Sequence, residues 1–338
     1  MLRPLNKTLK KLKEDALMVT KTDYTFSSHD DRNTPIHAVK WIGDENNVKA
    51  VLQLVHGMQE HIERYSEFAE YLAEKGFAVY GHDHIGHGDS VEKDEDRGRM
   101  HTDFPDDTMI DDMLENYRII KARYPDKPYF ILGHSMGSYL LRKFLSVKAA
   151  DIKGLSGAII MGTGSEADAA IFAGKALCKL LCKVKGKDAP SPFIAGLMFG
   201  GNYKKFDLTG KDPSNSWLSK NVESVKAYMD PANKKDHCEF SLNGYMILLR
   251  STWFDNRMSN IKRMNLDIPV IFVSGDQDPV GAMGAGVKKA YEMFREAGVK
   301  DLSIKLYEGD RHEILNELDC ETVYNDLYEW MISRCTTS

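Results

Sequence analysis

A serine with a glycine two positions away on each side is the clearest catalytic feature of this chain. The segment Gly133-His134-Ser135-Met136-Gly137 fits the pattern G-x-S-x-G. In that pattern a sharp strand-to-helix turn lifts the serine hydroxyl clear of a sheet. Because neighbouring backbone crowds the turn, only glycine-sized residues fit at its two flanks. The pattern predicts a nucleophilic serine, and a purely structural turn is the alternative.

A serine at its ordinary pKa is a weak nucleophile, so it requires a general base that a third group orients. Chains with this turn carry serine, then an acid, then histidine. Downstream, "GDQDPVG" offers Asp276 and Asp278, and "YEGDRHEIL" offers His312. We predict His312 as the base and favour Asp278 over Asp276 as the acid. His134 is a poor candidate for the base, because adjacent residues diverge on such a turn.

Acyl transfer also requires backbone N–H groups that stabilise the oxyanion of a tetrahedral intermediate. One donor is expected from Met136, the residue after the serine, and the second from a loop after an earlier strand. The segment "LVHGMQEH" fits that loop. We predict that His56 and Gly57 allow a close backbone approach and that Met58 supplies the second N–H.

A histidine-rich segment, "HDHIGHG", places His82, His84 and His87 around Asp83. Its spacing matches none of the dedicated zinc patterns, and serine chemistry requires no metal. We therefore predict a hydrogen-bonded structural loop, no metal ligands and no cofactor.

The elements that would position these groups alternate along the chain. Short apolar, β-branched runs are followed by helical patterns, which predicts βαβ units and a mostly parallel sheet. The candidate groups follow strand ends, where open α/β sheets gather their sites. An antiparallel hairpin is expected around Asp30–Pro35. The six predicted parallel strands cover 49–57, 77–83, 128–133, 155–162, 268–275 and 302–309.

One interval is too long for a single crossover. Positions 163 to 267 separate the fourth and fifth predicted strands, whereas a crossover helix needs only about a dozen residues. The interval mixes helix-like pieces with stretches rich in Gly, Pro and Ser. We predict a core at 1–163 and 246–338 and an inserted cap at 164–245. A partly disordered insertion is the alternative.

Bulk composition excludes several classes of protein. The 338 residues carry a formal net charge of −5, which gives no reason to expect a nucleic acid partner. No apolar run approaches the length of a membrane span. Charged residues interrupt the basic N-terminus, "MLRPLNKTLKKLKEDALMV", so we predict a surface helix there instead of a signal peptide. The five scattered cysteines agree with a cytoplasmic location.

Together these segments resemble the α/β-hydrolases, specifically the monoacylglycerol lipase and lysophospholipase group with its serine-aminopeptidase-like relatives. "HGMQEHIERY" resembles that group's H-G-x-x-E-H-x-x-R-Y segment, and "GHDHIGHGDS" resembles its D-x-x-G-H-G-x-S segment. The elbow "GHSMGS" and the acid and base loops also match. The likeness covers most of the chain and is far more specific than the serine motif alone.

The resemblance implies an α/β-hydrolase fold, a mostly parallel central sheet flanked by helices, with an inserted lid. It implies Ser135 as nucleophile, Asp278 as acid and His312 as base, with oxyanion donors at Met58 and Met136. It also implies that three further side chains hold the oxyanion loop in shape without reacting, namely Glu60, His61 and Arg64.

The expected activity is hydrolysis of carboxylic esters through an acyl-enzyme, with single-chain lipids such as monoacylglycerols or lysophospholipids as substrates. Alternatives are a short-chain or aromatic-acid carboxylesterase, a peptidase and an acyltransferase. A non-enzymatic scaffold is disfavoured because nucleophile, base, acid and oxyanion loop are all present. The sequence gives no prediction of oligomeric state.

The residues of the predicted cap indicate its function less specifically, because each group has two interpretations. Its lysines, Lys175 to Lys187, either face solvent or make transient contact with an anionic membrane surface. Its apolar residues either line an acyl tunnel or form the cap's own core, and they are Ile171, Phe172, Leu177, Phe193, Leu197, Met198 and Phe199.

Overall fold

One eight-stranded sheet organises the protein, which a computed structural model describes over residues 18–335. The predicted N-terminal surface helix therefore lies outside the described residues, apart from its last positions. The strand order is β1-β2-β4-β3-β5-β6-β7-β8. The strands are β1 (Thr20–Ser27), β2 (Pro35–Ile42), β3 (Ala50–Val55), β4 (Phe77–His82), β5 (Tyr129–His134), β6 (Leu155–Met161), β7 (Val270–Gly275) and β8 (Leu302–Tyr307).

The sheet is mostly parallel, as the alternating pattern predicts. Strands β3 to β8 pair in parallel, whereas β1 pairs with β2 and β2 with β4 in antiparallel fashion. The expected hairpin joins β1 to β2. The Asp30 carboxylate closes its turn, because it accepts from the Thr34 amide at 2.9 Å. The predicted architecture, a mostly parallel sheet with an antiparallel start, is confirmed.

Helices cover both faces of the sheet. Within residues 18–335, no helix is long and apolar enough to cross a lipid bilayer. The α-helices of that span are α1 (Ser66–Glu74), α2 (Pro105–Arg123), α3 (Met136–Val147), α4 (Asp168–Lys185), α5 (Pro192–Met198), α6 (Val222–Met229), α7 (Leu242–Asp255), α8 (Met258–Ile261), α9 (Ala285–Ala297) and α10 (Cys320–Ile332).

Alternate residues of each central strand enter two separate hydrophobic clusters. In β3, Val51 and Val55 pack on the side of α2, α3, α7 and α9, whereas Leu52 and Leu54 pack on the side of α1 and α10. Successive side chains of a strand point to opposite faces, so a strand buried on both faces is apolar throughout. This double burial explains the continuous apolar runs in the sequence and fixes where each strand ends.

The long interval between β6 and β7 contains helices and turns and adds no strand to the sheet. Helix α4 packs along α7, and a small cluster of Leu218, Val225 and Tyr228 lies under α6. The predicted limit between cap and core, at 245/246, falls inside α7. The division into a core and a cap at 164–245 stays a prediction.

Candidate active site

The serine of the G-x-S-x-G motif occupies a strained turn between β5 and α3. Ser135 has φ 53° and ψ −122°, a conformation that L-residues rarely adopt. Its amide donates to the Met161 carbonyl at 3.0 Å, which ties the turn to the neighbouring strand β6. Ser135 is partly exposed, whereas His134 and Met136 on either side are buried. The turn therefore presents the hydroxyl at the end of the sheet.

The two flanking glycines are required by backbone crowding. A Cβ on Gly133 would lie 2.4 Å from the carbonyl oxygen of Gly137. A Cβ on Gly137 would lie 2.2 Å from the carbonyl oxygen of Val55 and 2.6 Å from that of His56. Because all three neighbours are backbone carbonyl oxygens, no side-chain rearrangement can relieve these contacts.

The acid and base candidates meet beyond the ends of β7 and β8. The Nδ1 atom of His312 lies 3.0 Å from Oδ2 of Asp278. Burial opposes ionisation of Asp278, but the electrostatic interaction with His312 and hydrogen bonds from His312, the Val280 amide and Ser274 lower its pKa. An ionised carboxylate only accepts hydrogen bonds, so His312 carries its proton on Nδ1. Its Nε2 is then free to accept a proton.

The neighbouring aspartate has a different partner. Oδ1 of Asp276 accepts from the Gly309 amide at 2.9 Å and from the Gln277 side chain at 3.1 Å. Asp276 therefore braces the loops that follow β7 and β8, whereas Asp278 is fully buried against His312. The geometry favours Asp278 as the acid.

Both the serine and the histidine lie beside Gly162, the residue after β6. A Cβ on Gly162 would be 3.1 Å from Cε1 of His312, and the preceding residue, Met161, accepts from the Ser135 amide. Among residues 18–335, no hydrogen bond joins the Ser135 hydroxyl to His312 directly. Such bonds are often long in enzymes without substrate and shorten when substrate binds.

The two segments predicted to supply oxyanion donors both adjoin Ser135. Met136 begins α3, so its N–H has no acceptor one helical turn earlier. The loop after β3 passes directly against the serine, because a Cβ on Gly57 would be 2.9 Å from Cβ of Ser135. Nδ1 of His56 lies 2.8 Å from the Gly57 carbonyl oxygen and stiffens this loop ahead of Met58.

A buried carboxylate links the oxyanion loop to the elbow. Glu60 accepts from the Gly57 amide, from the Tyr65 hydroxyl at 2.9 Å and from Nδ1 of His134 at 3.2 Å. Burial opposes its ionisation, yet the hydrogen bond and charge of His134 and the charge of Arg64 lower the Glu60 pKa to about 2. Burial lowers the pKa of His134, but Glu60 outweighs it and the net shift is upward. His134 is thus paired with Glu60 and is not available as a base for Ser135.

The histidine-rich segment is a buried loop. Burial lowers the pKa of His82 to about 4 and also lowers those of His84 and His87, so all three rings are neutral near pH 7. Asp83 accepts from the Ile62 amide at 2.7 Å. The segment thereby anchors the chain that leads from the oxyanion loop into α1.

One group of residues has the composition of a metal site. His37, Asp83 and Asp89 each offer a ligand atom, and these atoms lie within 4.8 Å of one another. Hydrogen bonds explain why these three residues lie close together without a metal ion. His37 Nδ1 lies 2.8 Å from Asp83 Oδ2, and the Asp89 amide donates to the same carboxylate.

The second half of the predicted cap, within residues 164–245, contacts both loops of the site. The His312 amide donates to the Trp217 carbonyl at 3.4 Å, and the Glu313 amide donates to the Leu218 carbonyl at 2.7 Å. On the other side, the His237 amide donates to the carbonyl of Gln59 at 3.1 Å. Residues 217–237 therefore bridge the base loop and the oxyanion loop.

An apolar cavity of about 280 Å³ lies beneath this bridge. Of the apolar cap residues singled out in the sequence, Phe199 lines it, Ile171 is buried in the main core, and Phe172, Phe193 and Leu197 are exposed. Sequence reasoning missed most of the lining, because no motif marks these positions. The lining includes Gln59, Trp217, Val225, Tyr228, Met229 and Tyr245.

Comparison with known proteins identifies related chains. Residues 46–319 match the family described as serine aminopeptidase, S33. Human monoglyceride lipase is 28% identical over 299 residues, covering 86% of this chain and 84% of the relative. The monoacylglycerol lipase of Mycolicibacterium smegmatis is 26% identical, with coverages of 87% and 91%.

Solved structures show the same fold. A thermostable carboxyl esterase from Bacillus coagulans, in complex with glycerol, superposes with a TM-score of 0.82 at 25% identity, covering 94% of this chain and 99% of that one. The mostly parallel sheet, with its nucleophile turn after β5, is the α/β-hydrolase arrangement. Since the family match spans most of the chain, this protein belongs to the serine aminopeptidase S33 family of α/β-hydrolases.

Proposed function

We propose that the protein is a serine hydrolase that cleaves monoacylglycerols through an acyl-enzyme. The observation that carries this proposal is the hydrogen-bonded pair of Asp278 and His312, fully buried next to the strained turn of Ser135. A carboxylate that orients an imidazole, with a partly exposed serine hydroxyl near them, is the arrangement that activates serine for acyl transfer. The names of the related lipases support the choice of ester.

In the first half-reaction, the Ser135 oxygen attacks the ester carbonyl carbon while Nε2 of His312 takes the hydroxyl proton. The Asp278 carboxylate holds the ring and stabilises the imidazolium that forms. The carbonyl oxygen becomes an oxyanion that accepts from the amides of Met58 and Met136. The C–O bond to the alcohol then breaks, and His312 gives its proton to the departing oxygen. Glycerol leaves, and the acyl group remains on Ser135.

In the second half-reaction, water replaces the alcohol. His312 takes a proton from water as its oxygen attacks the acyl carbonyl, and the same two amides stabilise the second oxyanion. The bond to the Ser135 oxygen breaks, and His312 returns the proton to that oxygen. The fatty acid is released and the enzyme is restored.

The apolar cavity supports a lipid substrate. It borders Gln59, next to the proposed oxyanion donor Met58, and Trp217, whose carbonyl accepts from His312. An acyl chain leaving the carbonyl at Ser135 would therefore reach apolar surface at once. The carboxyl esterase of similar fold supports a second candidate, a carboxylesterase, and short acyl groups are the substrates that we expect for this alternative.

The test is an assay of purified protein against a monoacylglycerol, a lysophospholipid, a series of 4-nitrophenyl esters and a peptide amide. We expect ester hydrolysis that improves with acyl length. Ser135→Ala should lower kcat by about 10⁶-fold. Ser146→Ala is the matched control, since Ser146 lies on α3 and donates only to the Arg142 carbonyl. Undiminished activity of Ser135→Ala would refute the nucleophile, and a preference for acetyl esters would favour the short-chain alternative.

We further propose that the first half of the cap rests on an anionic lipid surface. Helices α4 and α5 expose Phe172, Val184 and Phe193 to 67%, 75% and 59% of their surface. The exposed Lys179 and Lys183 lie on α4 among these apolar side chains. Exposed aromatic and aliphatic side chains with lysines beside them are typical of helices that lie in a membrane interface.

A further inference from the structure

The imidazole of His312 contacts two other rings. His134 covers one side, with ring centroids 4.7 Å apart and planes tilted by 39°. Trp217 of the cap also contacts the ring, with centroids 5.0 Å apart and planes tilted by 37°. The Nδ1 edge is taken by Asp278. The ring is therefore held on several sides while its Nε2 edge remains for the serine.

Trp217 is itself fixed by the loop that carries the base. Its carbonyl accepts from the His312 amide at 3.4 Å, and the next residue, Leu218, accepts from the Glu313 amide at 2.7 Å. The Arg311 guanidinium donates to the carbonyl of Ser216. Residues on both sides of Trp217 thus bond to the segment around His312, so the indole and the imidazole keep their mutual position.

The same indole borders the apolar cavity. It lines that cavity of about 280 Å³ together with Phe199, Val225, Tyr228 and Tyr245. Phe199 also contacts the Trp217 ring, at a centroid distance of 5.8 Å, and Tyr203 does so at 5.3 Å. The Trp217 indole therefore contacts both the base and the apolar cavity.

We propose that Trp217 is a positioning residue for His312 and the residue that sets acyl-chain preference. This rests on the proposed ester hydrolase function. As a positioning residue, the indole excludes water from the imidazole and prevents the ring from turning away from Ser135. As a cavity wall, it contacts the first methylenes of the acyl chain, so that longer chains gain binding in the transition state. These two roles require different properties of the side chain, namely a flat ring and apolar volume.

Three substitutions separate the two roles. Trp217→Phe keeps an aromatic ring and most of the apolar volume, Trp217→Leu keeps a large apolar side chain without a ring, and Trp217→Ala removes both. Trp253→Ala is the matched control, since Trp253 is a half-buried tryptophan of α7 that contacts Arg257 and Lys175. For each variant, kcat and KM are measured with acetyl, butyryl, octanoyl and dodecanoyl esters of 4-nitrophenol, alongside the melting temperature.

We expect Trp217→Phe to behave nearly like the wild type. Trp217→Leu should lower kcat for every ester by about 10-fold to 100-fold, because the base loses its orientation. Its dodecanoyl-to-acetyl ratio of kcat/KM should be retained. Trp217→Ala should show the same loss of kcat and a ratio lowered by about tenfold, since each buried methylene is worth about fourfold. Trp253→Ala should keep both quantities at the wild-type values.

The proposal is overturned if Trp217→Leu and Trp217→Ala keep the wild-type kcat and the wild-type dodecanoyl-to-acetyl ratio of kcat/KM. It is also overturned if the Trp217 variants slow hydrolysis of every ester by one common factor and Trp253→Ala does the same. Should Trp217→Ala fail to fold, Trp217→Leu against Trp217→Phe still tests the positioning role, and an unchanged kcat in Trp217→Leu refutes it. Failure of the proposed function has another signature, because the wild type itself would then hydrolyse none of the esters.

Discussion

The site at the strand ends, around Ser135, is tightly packed, whereas the predicted cap has unfilled space around some of its residues. At the strand ends, Ser135 is held in a strained conformation, and Gly137 leaves no space for even one methyl group. In the cap, Gly196 of α5 is open, since outside its own helix and chain neighbours no described atom lies within 4 Å of an added Cβ. The chemistry therefore depends on crowding that fixes atoms, whereas the cap has free surface with which to meet a substrate.

The two regions also differ in the partners of their side chains. Asp278 and Glu60 are buried and have several hydrogen-bond donors each. Phe172 and Phe193 of the cap face outward. Residues 217–237 of the predicted cap are hydrogen-bonded to both loops of the site, at His312 and Glu313 on one side and at Gln59 on the other. Substitutions should therefore have large effects at the strand ends and small, selective effects in the outer cap.

After loss of the nucleophile itself, the largest effect should come from substitution of the acid. Asp278→Asn should lower kcat by about 10⁴-fold, or about 5.5 kcal/mol, because an amide that donates to Nδ1 of His312 imposes the wrong tautomer. Steady-state kinetics with a 4-nitrophenyl ester measure this. Asp276→Asn is the control and should change kcat little, because Asp276 bonds to Gly309 and Gln277. Equal losses in the two variants would contradict the assignment of the acid.

The next effect is a loss of stability when a methyl group is added at the crowded turn around Ser135. Gly137→Ala should lower the free energy of unfolding by about 4 kcal/mol, because its Cβ would lie 2.2 Å from the Val55 carbonyl oxygen. Gly196→Ala in α5 should instead stabilise the protein by a few tenths of a kcal/mol to about 1 kcal/mol, because alanine favours a helix. Urea unfolding of both variants is the measurement. If Gly137→Ala left the free energy of unfolding unchanged, the two regions would not differ in packing as we describe.

A third effect is acid sensitivity at the strand ends. His82 has a folded-state pKa of about 4 against an ordinary value of 6.5. Below pH 6.5, His82 therefore binds a proton in the unfolded chain, whereas in the folded protein it stays neutral down to about pH 4. The free energy of unfolding should fall by about 3 kcal/mol over this range from His82 alone.

The variant His82→Asn tests this assignment, since an amide oxygen can replace Nδ1 as the acceptor from Asn116. The loss of stability between pH 6.5 and pH 4, followed by urea unfolding, should shrink in His82→Asn. His237→Asn in the predicted cap should leave most of that loss, because the His237 side chain is exposed. An unchanged pH profile in His82→Asn would show that other groups are responsible.

The smallest effect belongs to the outer cap. Phe193→Ser should weaken binding to vesicles of phosphatidylcholine and phosphatidylglycerol by about tenfold, because the membrane interface takes up exposed apolar side chains. Leu318→Ser is the control, since Leu318 is 73% exposed but precedes α10, outside the cap. Vesicle sedimentation measures binding, and hydrolysis of a soluble ester should remain at the wild-type rate. Equal weakening by both variants would rule out the cap as the docking surface.

The sheet was largely predictable because its signals are local. Each central strand is buried on both faces, so its apolar run is visible in the sequence, and the observed β3 to β8 coincide with the six predicted runs. The cap was less predictable. Phe193 and Leu197 look like core residues by composition, yet they are exposed, whereas Trp217 and Tyr228, which carry no motif, line the cavity.

By itself, the sequence determined the order of nucleophile, acid and base candidates and the need for glycine around Ser135, because steric and chemical demands of a turn act on adjacent residues. The tertiary structure decided which groups meet. It pairs His134 with Glu60, His312 with Asp278, and Asp276 with Gly309. It also brings Trp217 onto His312, across 95 positions of chain. Such contacts depend on how crossovers and cap fold back over the strand ends, and no local pattern encodes that.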